Sequence, residues 1–279
     1  MKMSATRRLT ECAMLIALAT GLSMVKLVEM PAGGSVTAAS MLPIVLLAYR
    51  HGTKYGLLSG LVYGVLQQLL GLKTLSYVTG WASVLAVLFL DYVIAFAVIG
   101  FAGIFRRAHL SQAATLSLGA AFVSVLRYIC HVISGATVWV GLSIPNEAAL
   151  LYSLGYNATF MIPETVILVC AAAYLGGAID FRQVELAPIR KSAPEKEQGG
   201  LSILTAALAL VLCIAVVAVT VTVFPYLQGE SGTFDLSGAA NIPWLPVGIC
   251  IGLGVVSLVG LCICRLPSVV KCVKNHEKL

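Results

Sequence analysis

A succession of apolar runs, each close to the length that crosses a bilayer and each ended by a short polar turn, leaves this chain one solvent in which to fold. In hydrocarbon the backbone polar groups have to be satisfied within the spanning segment, so runs of this kind are expected to be helices. Composition agrees: 59% of residues are hydrophobic and 11% charged, with mean hydropathy +0.96, outside the range of soluble globular chains. With eight spans and the N-terminus inside, the basic residues at 2–8, 50–54, 106–107, 182–196 and 265–278 all fall on inner segments. Lys26 and Lys73 fall outside. The positive-inside rule then predicts a multi-pass plasma-membrane protein with both termini cytoplasmic. The N-terminus shows no cleavable-signal pattern, so the first helix is expected to be retained.

The eight cysteines are scattered without a CxxC pair and read as small apolar residues. No GxxxxGK[ST], HExxH or GxSxG occurs, which argues against ATP hydrolysis by this chain, a metalloprotease or a serine hydrolase. No catalytic residue, metal, cofactor or nucleic-acid partner is expected.

Residues 9–28 form the first run. Ala13 and Ala17, continued by Gly21, make a flat face that either packs internally or admits another helix. In the outer loop at residues 30–35, Gly33, Gly34 and Ser35 suit a lid over a ligand or a flexible turn. The second run, residues 36–49, is short and holds Pro43, so a kinked or less tilted span is expected. Gly56, Gly60 and Gly64 give the third, residues 55–72, a close-packing face. The fourth, residues 81–105, carries Asp91 beside Tyr92. After the sixth, residues 151–177 with Pro163, the stretch 181–200 is rich in Pro, Gly and charge and reads as a cytoplasmic linker. Residues 201–279 add two more spans without recognisable pocket chemistry.

Ionisable groups inside apolar runs are costly and mark functional sites by default. Between residues 126 and 157, Arg127, His131, Gly135 and Trp139 recur at every fourth position on one helical face, with Gly135 leaving an open place between imidazole and indole. Tyr152 and Tyr156 are also four apart, and Asn157 flanks them. Such aromatics also suit an interfacial belt, but His131 and Asn157 lie deeper than a belt should. Counting about 1.5 Å per residue from the outer ends puts Asp91 roughly 15 Å down, His131 roughly 12 Å and Asn157 roughly 9 Å, with Arg127 and Glu164 roughly 18 to 20 Å down. The expectation is layered: an Arg127–Glu164 ion pair near midplane, and above it a pocket of Asp91, His131 and Asn157 whose unneutralised carboxylate suits a cation. An intramembrane enzyme using Asp91, His131 and Arg127 for acid-base work is a competing reading, weakened by the missing nucleophile or metal set.

Five stretches, TECAMLIALA, GGSVTAASMLPIVLLAYRHGTKYGLLSGLVYG, LDYVIAFAVIGFAGIF, LRYICHVISGATVW and YSLGYNATFMIPE, follow one another between residues 9 and 177. In that order the chain resembles the thiamine-specific S component (ThiT or YuaJ family) of energy-coupling factor (ECF) vitamin transporters. The resemblance implies an all-α integral membrane protein with a six-helix S-component core at residues 1–180, to which the composition and the apolar runs add a linker at 181–200 and two additional C-terminal transmembrane helices at 201–279. It also implies thiamine capture near the outer surface and delivery by docking onto a transmembrane T subunit driven by two cytoplasmic ATPases. Asp91 stands where the family has an acidic ligand-binding residue, often Glu, and Tyr92 follows it. His131, Gly135 and Trp139 match an HxxxGxxxW pocket stripe, and Tyr152 with Asn157 match the Tyr and Asn of the next helix. The implied roles are ring stacking by Trp139, hydrogen bonds from His131 and Asn157, and charge compensation or aminopyrimidine bonding by Asp91, with cation–π attraction of about 0.5 to 2 kcal/mol per aromatic face. Ala13 and Ala17 become the T-subunit docking face. The chain departs from the family in lacking the aromatic lid residue of some members, in carrying Tyr63 where some carry Trp, and in residues 201–279, which have no counterpart. An S component for another vitamin or a thiamine precursor would share the fold.

Overall fold

Ser4 opens the first helix, α1 (Ala5–Met24), its hydroxyl accepting from the Arg7 backbone N–H at 3.2 Å and satisfying a donor that the first turn leaves free. The computed structural model describes residues 4–30, 33–140, 148–189, 195–229 and 234–276. Lys2, Arg190, Lys191 and Lys278 of the inner charges lie outside the described residues.

The first helix stops at Met24 instead of running to residue 28. Lys26–Glu29 (β1) pairs antiparallel with Ser35–Thr37 (β2), Lys26 opposite Thr37 and Glu29 opposite Ser35. Hydropathy stays high through Val28, but Lys26 and Glu29 are exposed and joined by a 2.6 Å ion pair. The second run divides in the same way, because residues 36 and 37 belong to β2 and helix α2 covers only Leu42–His51. Pro43 lies in the first turn, where a missing N–H costs no helical bond, so it starts this helix and kinks nothing. Residues 42 to 49 are all buried, which marks α2 as a helix enclosed by protein.

Helix α3 (Thr53–Leu70) turns its glycine face to α4 (Trp81–Arg107). A Cβ at Gly56 would fall 2.8 Å from Gly100 Cα, one at Gly60 2.5 Å from the Phe96 carbonyl oxygen and one at Gly64 2.7 Å from the Tyr92 carbonyl oxygen. The two backbones touch, as the four-residue spacing predicts. Helix α4 is not uniform. Trp81–Val87 is ordinary α-helix, Leu88–Ile94 is wound as π-helix around Asp91, and after Ala95–Ala97 the segment Val98–Arg107 tightens to 3₁₀.

Helix α5 (Gln112–Thr137) begins at a Ser111 cap, and α6 (Ala149–Ala178) continues through Pro163. Close approach again uses glycine, since a Cβ at Gly176 would lie 2.8 Å from Ala113 Cα. At the start of α5 the Gln112 amide donates to the carbonyls of Gly176 and Ile179 at 2.9 and 2.6 Å, and its oxygen accepts from the Phe181 N–H at 3.0 Å. Arg50 holds both Glu11 oxygens at 2.7 and 3.1 Å and donates to the carbonyls of Phe181, Gln183 and Val184. Residues that composition assigns to the start of a loose linker are therefore tied to the core. Ile179–Asp180 (β3) and Ala187–Pro188 (β4) form a second short hairpin there, so the helical architecture carries two small β pairs.

Among the described residues, five helices are long and apolar enough to cross a membrane: Trp81–Arg107, Gln112–Thr137, Ala149–Ala178, Ile203–Leu227 and Trp244–Cys264. The protein is a mostly helical, multi-pass membrane protein. The chain divides into two compact units, one of Met1–Ile189 with Phe224–Ile242, the other of Arg190–Val223 with Pro243–Leu279. The second contains helices α7 (Glu195–Val223) and α8 (Trp244–His276), which meet where Gly254 faces Leu212 and Ala215 and where Gly260 faces Leu208.

Candidate ligand-binding site

Asp91 is the hub of the site. The π-helical turn of α4 carries its carboxylate to α5 and the residues just past its end, where His131, Ser134 and Trp139 converge on it. His131 Nδ1 lies 2.8 Å from Oδ1, the Ser134 hydroxyl donates to Oδ2 at 2.6 Å, and the Trp139 indole N–H donates to the same oxygen at 3.2 Å. Widened turns of this kind recur at functional sites because they re-aim one side chain without ending the helix. The Asp91 and His131 side chains are 14% and 13% exposed, so the cluster borders open space and is not sealed in the core. The carboxylate is held in place by these neighbours, and none of the three is a permanent cation. With Nδ1 against Asp91, the second imidazole nitrogen, Nε2, is buried without a hydrogen-bond partner.

Asp91, His131 and Trp139, but not Ser134, line a cavity of about 160 Å³ with Gly33, Gly34 and Ser35 of the loop after β1, Tyr92, Gly135 and Asn157. Arg127 and Glu164 line the same cavity, 3.4 Å apart. The ion pair is therefore part of its wall, where two separate layers were expected. Thr37 Oγ1 lies 2.8 Å from Glu164 Oε1, and the Arg127 guanidinium sits 4.6 Å over the Phe96 ring. Two carboxylates against one guanidinium leave the lining with one net negative charge while His131 is neutral. An anionic, aromatic-walled cavity suits a flat cation.

The loop enters the cavity wall through backbone geometry. Gly33 and Gly34 have φ of +107° and +86°, a region side chains other than glycine rarely adopt. A Cβ at Gly34 would meet the Phe160 ring at 2.7 Å. The Tyr156 hydroxyl donates to the Gly33 carbonyl at 2.6 Å, fastening the loop to α6.

Three expectations change in detail. Tyr152 does not line the cavity; it packs beside Trp139 and Val87, while Tyr156, one turn on, takes the lining position. Gly135 does line it, but its missing side chain serves helix packing, since a Cβ there would strike the Ser153 hydroxyl on α6. Asn157 commits its amide nitrogen to Ser153 O at 2.9 Å and His131 O at 3.3 Å, which leaves its oxygen for a ligand. Ser134 was missed, although it stands three residues from His131 and so shares its face. Tyr63, marked by the resemblance as standing where some members carry Trp, also lines the cavity, as do Gln67 and Thr74, which carry no sequence signal beyond polarity within or beside an apolar run.

Residues 9–179, which hold every lining side chain, match the family described as thiamine transporter protein (Thia_YuaJ). The thiamine transporter ThiT of Bacillus subtilis (strain 168) is 37% identical to this chain over 171 residues, which is 57% of this chain and 85% of that protein. A solved structure of ThiT from Listeria monocytogenes shares the fold at a TM-score of 0.50 and 24% identity, over 61% of this chain and 92% of that one.

Proposed function

The chain belongs to the thiamine transporter protein (Thia_YuaJ) family, and on that premise we propose that it is the thiamine-binding S component of an ECF-type importer. It is a transport protein and not an enzyme. The observation that carries the assignment to a site is the convergence of His131, Ser134 and Trp139 on Asp91 at the wall of an aromatic cavity with one net negative charge. Thiamine offers a permanently cationic thiazolium and a flat aminopyrimidine. The first is matched by that charge and by aromatic faces, and the second by the polar groups of Asp91, His131 Nε2 and Asn157 within hydrogen-bonding reach of a ring edge. Tyr92, stacked on Phe96 at 6.4 Å, and Trp139 supply the faces, Gly135 lets α5 sit against α6, and Tyr152 acts from behind Trp139.

Delivery to a T subunit and two ATPases is assigned to the opposite end of the molecule. Ala13 and Ala17 are exposed on α1, and nothing lies within 4 Å of where a Cβ at Gly21 would be, so a small-residue face stands open to a partner helix. The distribution of Lys and Arg supports cytoplasmic termini, with six crossings in the core and two in the extension. Gly33, Gly34 and Ser35 act as the lid over the ligand.

Titration of detergent-purified protein with thiamine, read by tryptophan fluorescence, tests the reading. Trp81 and Trp244 are exposed and give background, whereas Trp139 is buried against the cavity. Saturable quenching that largely disappears in Trp139→Phe is expected. Saturation by a different vitamin with no response to thiamine would reassign the substrate.

A further inference from the structure

The connector between the two C-terminal helices lies outside the stretch that matches the family, yet it packs with the core. Phe224–Leu227 forms a 3₁₀ turn, Gln228 and Phe234 pair as a β-bridge, and a second 3₁₀ turn follows at Ser237–Asn241. The Asp235 N–H donates to the Leu227 carbonyl at 2.9 Å, and the Asp235 carboxylate accepts from the Ser237 N–H and hydroxyl at 2.9 and 2.6 Å. These bonds hold the strand end beside the first turn. Three apolar side chains of the connector enter this packing: Phe224, Leu227 and Phe234 are all buried, Phe234 to 3%, while Tyr226 and Leu236 stay exposed.

What Phe234 is buried against is the back of the binding cavity. Its ring lies over Gly155, where a Cβ would sit 3.1 Å from it, and meets Tyr152 and Tyr156 edge-on at 6.1 and 5.8 Å. Phe224 approaches Tyr156 from another side at 6.3 Å. Tyr156 is the side chain whose hydroxyl holds the Gly33 carbonyl, and its ring is 6.0 Å from Phe160, the ring that Gly34 abuts. Tyr152 packs in turn beside Trp139. One unbroken line of contact therefore leaves the connector, through Tyr156 to the Gly33–Gly34 loop, while Tyr152 joins Phe234 to the apolar cluster of Val78, Val87 and Trp139.

We propose that Phe224 and Phe234 form an aromatic clamp on Tyr156 that holds the Gly33–Gly34 loop over the cavity and slows release of the bound ligand. In this chain the clamp does from outside the family fold what an aromatic residue in the loop itself could do. Neither phenylalanine lines the cavity, so both are positioning residues acting through Tyr156. Edge-to-face ring pairs are individually modest, and Phe234 makes two of them, so its loss is expected to speed release by about tenfold, which corresponds to about 1.4 kcal/mol. Because the clamp bears on a loop that must open for exit, association should change much less. Coupling of this kind is reciprocal: bound ligand must stabilise the clamp as much as the clamp retains ligand.

The proposal rests on thiamine being the ligand, and the experiment separates the two claims. Thiamine release from full-length wild-type protein, Phe234→Leu and Phe234→Ala is followed by stopped-flow fluorescence, alongside melting temperature. Hydrogen exchange is measured at the amides of residues 33–37, with and without thiamine, and at Gln228 and Asp235. The expected result is faster release and faster ligand-free exchange at residues 33–37 in both variants, the leucine variant keeping the fold and apolar bulk. In wild-type protein, saturating thiamine should slow exchange at Asp235. Unchanged release in a folded Phe234→Leu, or Asp235 exchange indifferent to bound thiamine, overturns the clamp. Should wild-type protein fail to bind thiamine, the substrate reading falls, and the ligand-free exchange at residues 33–37 still decides the clamp. Should both variants fail to fold, wild-type exchange at Asp235 decides it.

Discussion

Three donors aimed at one carboxylate cannot all be satisfied by an amide. Asn at position 91 offers a single acceptor oxygen and turns an N–H₂ toward one of His131, Ser134 or Trp139. It also makes the cavity neutral. Asp91→Asn is therefore expected to weaken thiamine binding ten- to hundredfold, since a hydrogen bond to a charged group contributes about 1.5–3 kcal/mol, with the protein still folded. Isothermal calorimetry checks this, and unchanged affinity would remove Asp91 from the site. Much of the cluster was legible in the sequence, because an Asp and a His inside apolar runs have few other reasons to be there and the four-residue spacing puts His131 and Gly135 on one face with Trp139. What the spacing could not say was which way a tyrosine pair points. Tyr152 and Tyr156 share a face of α6 that is wide enough for one to reach the cavity and the other to pass behind it. Nor could it say why position 135 is glycine, since the reason is a serine on another helix.

At the scale of elements, glycine marks where backbones touch. In Gly135→Ala the new methyl would be driven into the Ser153 hydroxyl, and overpacking of this kind costs about 1–3 kcal/mol. A lower melting temperature is expected, partly restored by adding Ser153→Gly; full stability of the single variant would show that α5 and α6 can separate there freely. The face of α1 behaves oppositely, because Ala13 and Ala17 are exposed. Tryptophan at both positions should leave thiamine affinity of the isolated protein nearly unchanged while abolishing uptake and co-purification with the T subunit. Loss of binding together with uptake would make these alanines internal packing residues. The helices α3 and α6 follow their apolar runs closely. The run at residues 9–28 misleads because hydropathy continues across the helix end at Met24, and the run at 36–49 because half of it is hairpin and turn. The π-helical turn at Asp91 has no sequence signature here. It is fixed by the neighbours that Asp91 reaches.

At the scale of the whole molecule, the end of the first unit that holds Arg50 is knitted by charge and the end that holds the cavity by rings. Arg50 joins α1, α2 and residues 181–184, and beside it His51, at the inner turn, is 3% exposed and 3.0 Å from Glu11. Burial pushes the His51 imidazolium below its ordinary range against the pull of Glu11, with Arg50 adding to the push. The folded protein therefore protonates His51 less readily than the unfolded chain, which takes up a proton near pH 6.5. Below that pH the unfolded state binds more protons, so the contribution of His51, present above it, is lost as pH falls toward the folded pKa. The melting temperature should drop between pH 7.5 and 5.5, and His51→Gln should flatten that drop; an identical slope would acquit His51. At the cavity end, the packing of Phe224–Ile242 with residues before 190 acts on the ribosome too. A chain that emerges N-terminus first has released every lining residue by position 164, but the rings that press on Tyr152 and Tyr156 follow only after α7 has been made and inserted. The rim is the last part of the binding unit to be completed during synthesis. An insertion error in α7, a helix that gives the cavity no side chain, would therefore surface as newly made protein that captures its ligand and lets it go.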